Sequence, residues 1–132
     1  MLFDVVRQYL VDSGIVPKCT NKKDKKKKYD AIFLIEKPED IEADTFLIYR
    51  WRLDEGGIVK KYRFEIDVFA KDILSGKELK KQIKNALDFL TRPDDMLDEF
   101  IKFALTDEDG FLYNESAGIY KDTLYFRCNS FE

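Results

Sequence analysis

Between Tyr62 and Lys71 the side chains alternate with a period of two. Tyr62, Phe64, Ile66, Val68 and Ala70 fall on one side, and Arg63, Glu65, Asp67, Phe69 and Lys71 on the other. Successive side chains of an extended strand point to opposite faces, so this pattern predicts a strand with one face in a core and the other mostly toward water. A sheet buried on one face needs a covering layer, and the next segment supplies one. In "SGKELKKQIKNALDFLTRPDD" Leu79, Ile83, Leu87 and Leu90 form a helical stripe that Pro93 ends. Ser75, with Glu78 three residues on, has the spacing of a capping box. Lys77, Lys80, Lys81 and Lys84 then read as the solvent side of this helix.

The same reasoning extends in both directions. Leu2, Phe3, Val6, Tyr9 and Leu10 recur at three- and four-residue intervals, with Asp4, Arg7, Gln8 and Asp12 opposite. This predicts an amphipathic first helix of about three turns, stopped by Ser13-Gly14 and Pro17. Tyr29 to Ile35 reads as a short strand. "TFLIYRWRL", residues 45 to 53, is apolar on both faces and reads as a strand covered on both sides. The turn at Asp54 to Gly57 joins it to the alternating strand as a β-hairpin. Toward the C-terminus, residues 95 to 105 fit a helix or a strand equally. "FLYNESAGIYKDTLYFRCN" reads as a strand, a break at Gly118, and a last strand from Ile119 to Cys128. The expected fold is α+β: a mostly antiparallel β-meander sheet of four to five strands packed against two amphipathic helices. At 132 residues the chain is expected to form one domain, residues 1–132, with a core that needs no disulfide or metal staple.

Charge is unevenly placed. Lys22 to Lys28 hold six lysines and Asp24, so the remainder of the chain is more acidic than the total of −3. An acidic body disfavours extended binding to a duplex phosphate backbone. The segment at about 18–29 is expected to be a flexible basic loop, because mutual repulsion opposes a compact local fold. Three uses are open to it: solubility alone, contact with a neighbouring subunit, or salt-sensitive contact with nucleic acid.

Catalytic chemistry finds little purchase. The absence of histidine excludes Ser-His-Asp and Cys-His nucleophilic sites and a Cys-His zinc site, and Cys19 and Cys128 lack CxxC spacing. Reduced thiols are expected for both, with Cys128 as a small core side chain. "EIDVFAK" places Glu65 and Asp67 on one side of a strand, where they could share a divalent ion. The acid-x-lysine step of nucleases, however, would need a carboxylate where Phe69 stands. There is no GxxxxGK[ST] or GxGxxG phosphate loop, and Gly56-Gly57 lie in a turn. No enzyme activity and no cofactor are expected. No apolar run approaches the roughly 20 residues of a membrane-spanning helix, and the N-terminus lacks a basic signal-peptide region, so a soluble chain without a membrane partner is expected.

Phe46, Tyr49, Trp51, Tyr62 and Phe64 could form a stacking platform for single-stranded nucleic acid. Cover for the helices is the stronger reason for them. Tyr49 and Trp51, read as lying on the second face of a strand already apolar on its first, are the candidates for a subunit interface.

The order of elements resembles the tail-terminator, tail-completion and minor capsid proteins of long-tailed bacteriophages and prophages. The resemblance rests on "MLFDVVRQYLVDSGIVP", on "YRFEIDVFAKDILSGKELKKQIKNALDFL" and on "GFLYNESAGIYKDTLYFRC". It covers nearly the whole chain as pattern and order, with no diagnostic signature. It implies a structural virion protein, assembled in the host cytoplasm. Such a protein forms a ring, usually hexameric, at the head-proximal end of the tail tube, and it carries no catalytic residue. The implied partners are further copies of the chain, the tail-tube protein and the head-completion protein. Opposed charges suit a head-to-tail ring in which Lys22, Lys23, Lys25, Lys26, Lys27 and Lys28 of one subunit meet a neighbour's acids. DNA in the lumen, or the tape-measure protein, is the alternative partner of these lysines. The competing function is a small nucleic-acid-binding module that uses the Lys22–Lys28 loop.

Overall fold

The computed structural model describes residues 2–87 and 101–130. Helix α1 (Leu2–Asp12) buries Val6 and Leu10 and leaves Asp4, Gln8 and Asp12 in solvent. The side chains of Leu2 and Phe3 lie outside the described set. The helix ends where the sequence places its stop. The Ser13 amide and hydroxyl both donate to the Tyr9 carbonyl, and Gly14 takes the left-handed conformation (φ 76°).

Strands β1 (Lys18–Asn21), β2 (Lys28–Asp30), β3 (Ile32–Leu34) and β4 (Ile41–Glu42) follow, then the long β5 (Thr45–Glu55) and β6 (Lys60–Ala70). After α2 (Ile73–Leu87) come β7 (Ile101–Glu108), β8 (Leu112–Asn114) and β9 (Ile119–Ser130). The fold is α+β, as expected, but the strands form two sheets. A three-stranded sheet has the order β2-β1-β4, and a six-stranded sheet has the order β3-β5-β6-β9-β7 with β8 also on β9. All pairings are antiparallel except β3 with β5. The sheet is therefore larger than the four to five strands expected, and it is not a simple meander. The last strand returns to its centre and pairs with β6 from Lys60↔Ser130 to Ala70↔Tyr120.

The single strand expected over Tyr29 to Ile35 divides at Ala31, where the chain crosses from the small sheet to the large one. Ala31 is fully buried; its amide donates to the Pro17 carbonyl, and its carbonyl accepts from the Leu47 amide. A larger side chain would not fit a crossing closed on both sides.

Both helices cover one face of the large sheet. Val6, Leu10, Leu79, Ile83 and Leu87 pack on Leu47, Tyr49, Phe64, Ile66, Val68, Leu124, Phe126 and Phe103. Phe64 and Phe103 meet edge to face at 5.7 Å, a favoured aromatic geometry. On the opposite face Phe46 and Ile48 pack against Cys19, Ala31 and Ile41 of the small-sheet layer, and Phe46 stacks on Phe69 at 4.7 Å. The run that is apolar on both faces is thus covered on both sides in its first half.

Helix α2 starts three residues after Ala70, earlier than the capping-box reading at Ser75 would have it. Asp72 is the cap: its carboxylate accepts from the Ser75 amide (3.1 Å) and hydroxyl (2.8 Å), and these bonds hold its pKa below the ordinary value. Ser75 therefore donates to the cap it was expected to be. Gly76 sits inside the helix because a Cβ there would lie 3.0 Å from the Phe111 ring and 3.1 Å from Ala70. Leu79, Ile83 and Leu87 of the expected stripe are buried; Leu90 and Pro93 fall outside the described residues. Of the segment read as helix or strand, residues 101 to 105 are strand and 95 to 100 lie outside the described set. Gly118 breaks the chain before β9 with φ 64°. Among the described residues no helix is long and apolar enough to cross a membrane.

Candidate functional site

Two cationic surfaces are built on this frame. The first is the β1–β2 hairpin, whose exposed tip carries Lys22, Lys23, Lys25, Lys26, Lys27 and Lys28. The segment read as a loop over about 18–29 is strand at both ends, and its turn is ordered by short polar side chains. Asn21 Oδ1 accepts from the Lys23 amide (2.8 Å), and Asp24 Oδ1 accepts from the Lys26 amide (3.2 Å). Such side-chain bonds to the backbone two residues on are what make Asn and Asp turn formers. The one acid in the lysine run thus shapes the turn that its neighbours' repulsion opposes. Beside the hairpin, β1 pairs with β4, and Asn21 donates to the Asp40 carboxylate at 3.2 Å.

Tyr49 and Trp51 do not join this surface. Both lie on the helix-covered face, not on the second face as read from the sequence. Tyr49 is 5% exposed, and burial raises its hydroxyl pKa, so it fills the chain's own core and offers nothing to a neighbour. Trp51 is half-buried and meets Tyr62 edge to face at 6.0 Å. Phe46 lies on the opposite face from Tyr49 and Phe64, so the five aromatics do not form one platform.

Glu65 and Asp67 do share a side of β6, but a guanidinium occupies the position a metal would need. Arg50 contacts both carboxylates, and Asp67, 1% exposed, also accepts from the Thr123 hydroxyl at 2.6 Å. The face read as open to water is closed at this carboxylate, and ion pairing is what makes its burial tolerable. Among the described residues no group of three or more His, Cys, Asp or Glu side chains is placed to hold a metal.

The second cationic surface was missed by the sequence reading. Arg52 on β5 is the cross-strand partner of Arg63 on β6, and Arg63 is in turn the partner of Arg127 on β9. The result is one rung of three exposed arginines on the face opposite the helices. Asp54 reaches Arg52 at 3.0 Å and Arg63 at 4.0 Å, and among the described residues Arg127 has no ion-pair partner. A cavity of about 360 Å³ beside the rung is lined by Arg63, Arg127, Tyr125, Asp107 and Asp109. Residue alternation assigns each arginine a face; only the register of three strands brings them together.

An ion cluster around one buried carboxylate was also missed. Lys80, assigned to solvent with Lys77, Lys81 and Lys84, pairs with both Glu108 and the buried Asp122, whose other oxygen accepts from the Gly110 amide. Lys84 pairs with the same Glu108 at 2.8 Å. Burial alone would lower the Lys80 pKa, but its hydrogen bonds to Asp122 and Glu108 outweigh it and the net shift is upward. The bonds from Lys84 and Lys80 hold Glu108 below its ordinary value. Cys19 and Cys128 are free and buried on opposite faces of the large sheet, and burial pushes the Cys128 thiol up to about 12. A thiol held protonated in this way is a poor nucleophile.

These features define a class: an α+β fold with two cationic surfaces. No protein-family model and no curated protein matches the sequence. Among solved structures the fold is similar to that of a chain in the virion of a native gene transfer agent particle. The TM-score is 0.57, at 17% identity, over 76% of this chain and 78% of that one. At that identity the likeness speaks for the fold.

Proposed function

We propose that the protein is a structural subunit of a phage-like particle, without enzymatic activity. The observation that carries this reading is the fold shared over three quarters of both chains with a chain of the gene transfer agent virion. Within such a particle we assign it the tail-terminator or tail-completion role. In that role a hexameric ring sits at the head-proximal end of the tail tube and meets the tube protein and the head-completion protein. The order of elements supports the assignment. So do exposed contact surfaces beyond the needs of a lone domain: the lysine tip, the arginine rung, and the β5–β6 hairpin, where Ile58 is 92% exposed and Leu53 50%.

Light scattering at about 50 mM and about 300 mM salt, conditions that bracket ordinary screening, tests the reading, together with sedimentation on purified tail tubes. A mass near six subunits that falls as salt rises, or capture at one end of the tubes, supports it. A chain that stays monomeric and ignores the tubes overturns it. A nucleic-acid-binding module is the second reading, favoured by six exposed lysines on an ordered turn. It requires oligonucleotide binding whose log affinity falls by about 0.9 per phosphate contact for each log unit of salt, and loss of that binding when Lys22 to Lys28 are neutralised.

A further inference from the structure

We propose that the rung of Arg52, Arg63 and Arg127 receives the acidic edge of a second copy of this chain, the carboxylates of Glu36, Glu39 and Glu42. The inference rests on the reading of the protein as an assembled subunit, and it names the contact by which copies join.

The rung is a local conflict. Like charges directly opposite on neighbouring strands repel, and here three arginines stand in line with Asp54 at one end. One step along the same strands, Arg50 stands opposite Glu65 and is neutralised by it and by Asp67. The fold meets one arginine with two carboxylates in the first rung and offers one carboxylate to two arginines in the next, where Arg127 has no ion-pair partner among the described residues. An anionic partner bound there recovers what the isolated chain loses, and arginine's planar fork suits carboxylates in particular.

The chain carries a matching donor of negative charge. All five acids between Glu36 and Asp44 are exposed. Asp44 pairs with Lys71, and Asp40 accepts from Asn21, but Glu36, Glu39 and Glu42 have no ion-pair partner among the described residues. Their backbone is held in place: Lys37 donates to the Ile41 carbonyl at 2.7 Å, the Glu36 amide donates to the Leu34 carbonyl, and β4 pairs with β1. A pre-ordered acidic edge loses little entropy on docking.

Within one copy, among the described residues, no ion pair joins the rung to Glu36, Glu39 or Glu42. The small-sheet layer packs over Phe46 and Ile48, and Arg52 lies four residues beyond Ile48, roughly 13 Å along the strand.

Charge reversal tests the contact. Arg63→Glu with Arg127→Glu, and separately Glu39→Lys with Glu42→Lys, are each expected to weaken self-association at least about tenfold at low salt. An equal mixture of the two variants, and the chain carrying all four changes, should recover it. Circular dichroism checks that each variant is folded. The milder pair Arg63→Gln with Arg127→Gln should weaken association while raising the melting temperature of the monomer, since it relieves the repulsion; a merely structural rung would lose stability instead. Association that ignores both reversals, or a mixture that fails to recover, overturns the proposal and leaves the particle reading standing. A wild-type chain that is monomeric at every salt overturns the proposal, and failure to bind tail tubes then removes the particle reading as well. If the arginine reversals abolish duplex oligonucleotide binding and leave association untouched, the rung takes nucleic acid and the proposal is wrong.

Discussion

The lysines of the β1–β2 tip and Lys80 of α2 are alike in sequence and opposite in fate. At the tip six lysines crowd into seven residues and all remain in solvent. On α2 Lys80 leans over the Phe111 ring, with its ammonium 5.7 Å from the ring centroid, and closes an ion cluster on Asp122 and Glu108. What separates them is the partner. The tip's one acid is spent on backbone bonds within the turn, whereas α2 lies across β7 and β9, whose acids reach the helix only after the chain has folded. Charge density therefore says little about the work a lysine does, and the nearest folded acid says a great deal.

The largest test of that contrast removes Lys80. Lys80→Met leaves Asp122 buried without its cation and should cost about 3–5 kcal/mol in urea unfolding. Replacing both partners, Lys80→Met with Asp122→Leu, should recover most of that loss; if it does not, the cluster contributes more than pairing. Next comes pH. Glu108 is held below its ordinary 4.5, so its contribution is present above that value and is lost as pH falls through the lowered pKa. Lys80 is held above its ordinary 10.5, so its contribution is present below that value and is lost as pH rises through the raised pKa. Thermal melts should therefore show an acid limb that flattens in Lys84→Met and an alkaline limb that disappears in Lys80→Met. At the tip the order of effects is inverted. Asp24→Ala, which removes the turn's acceptor, should cost about 0.5–1.5 kcal/mol. Changing all six lysines to glutamine should stay within about 0.5 kcal/mol. A larger loss from the lysines than from Asp24 would mean that the tip is held by charge after all.

Much of the fold was legible because its signals are local. The alternation from Tyr62, the stop at Ser13-Gly14 and the two-faced apolar run from Thr45 each reflect neighbours in sequence. The hidden parts depend on which strand lies beside which. Nothing near Arg63 announces Arg127, and alternation could place Asp67 on the outer face without revealing Arg50 and Thr123 around it. Tyr49 was misread for the same reason: a strand apolar on both faces does not say which face the helices take. The cap at Asp72 was within reach, three residues before Ser75, where an acid serves better than the Ser-x-x-Glu spacing that competed with it.

The crossing at Ala31 has a mechanical consequence. The hairpin layer continues into the large sheet through one alanine, and on either side of it stand the amide bond to Pro17 and the carbonyl bond from Leu47. A pull on the lysine tip is therefore delivered within a single residue to β5, the long strand whose first half is packed on both faces. The hairpin is a short lever with a stiff fulcrum, and tension gathered at its tip arrives in the middle of the protein.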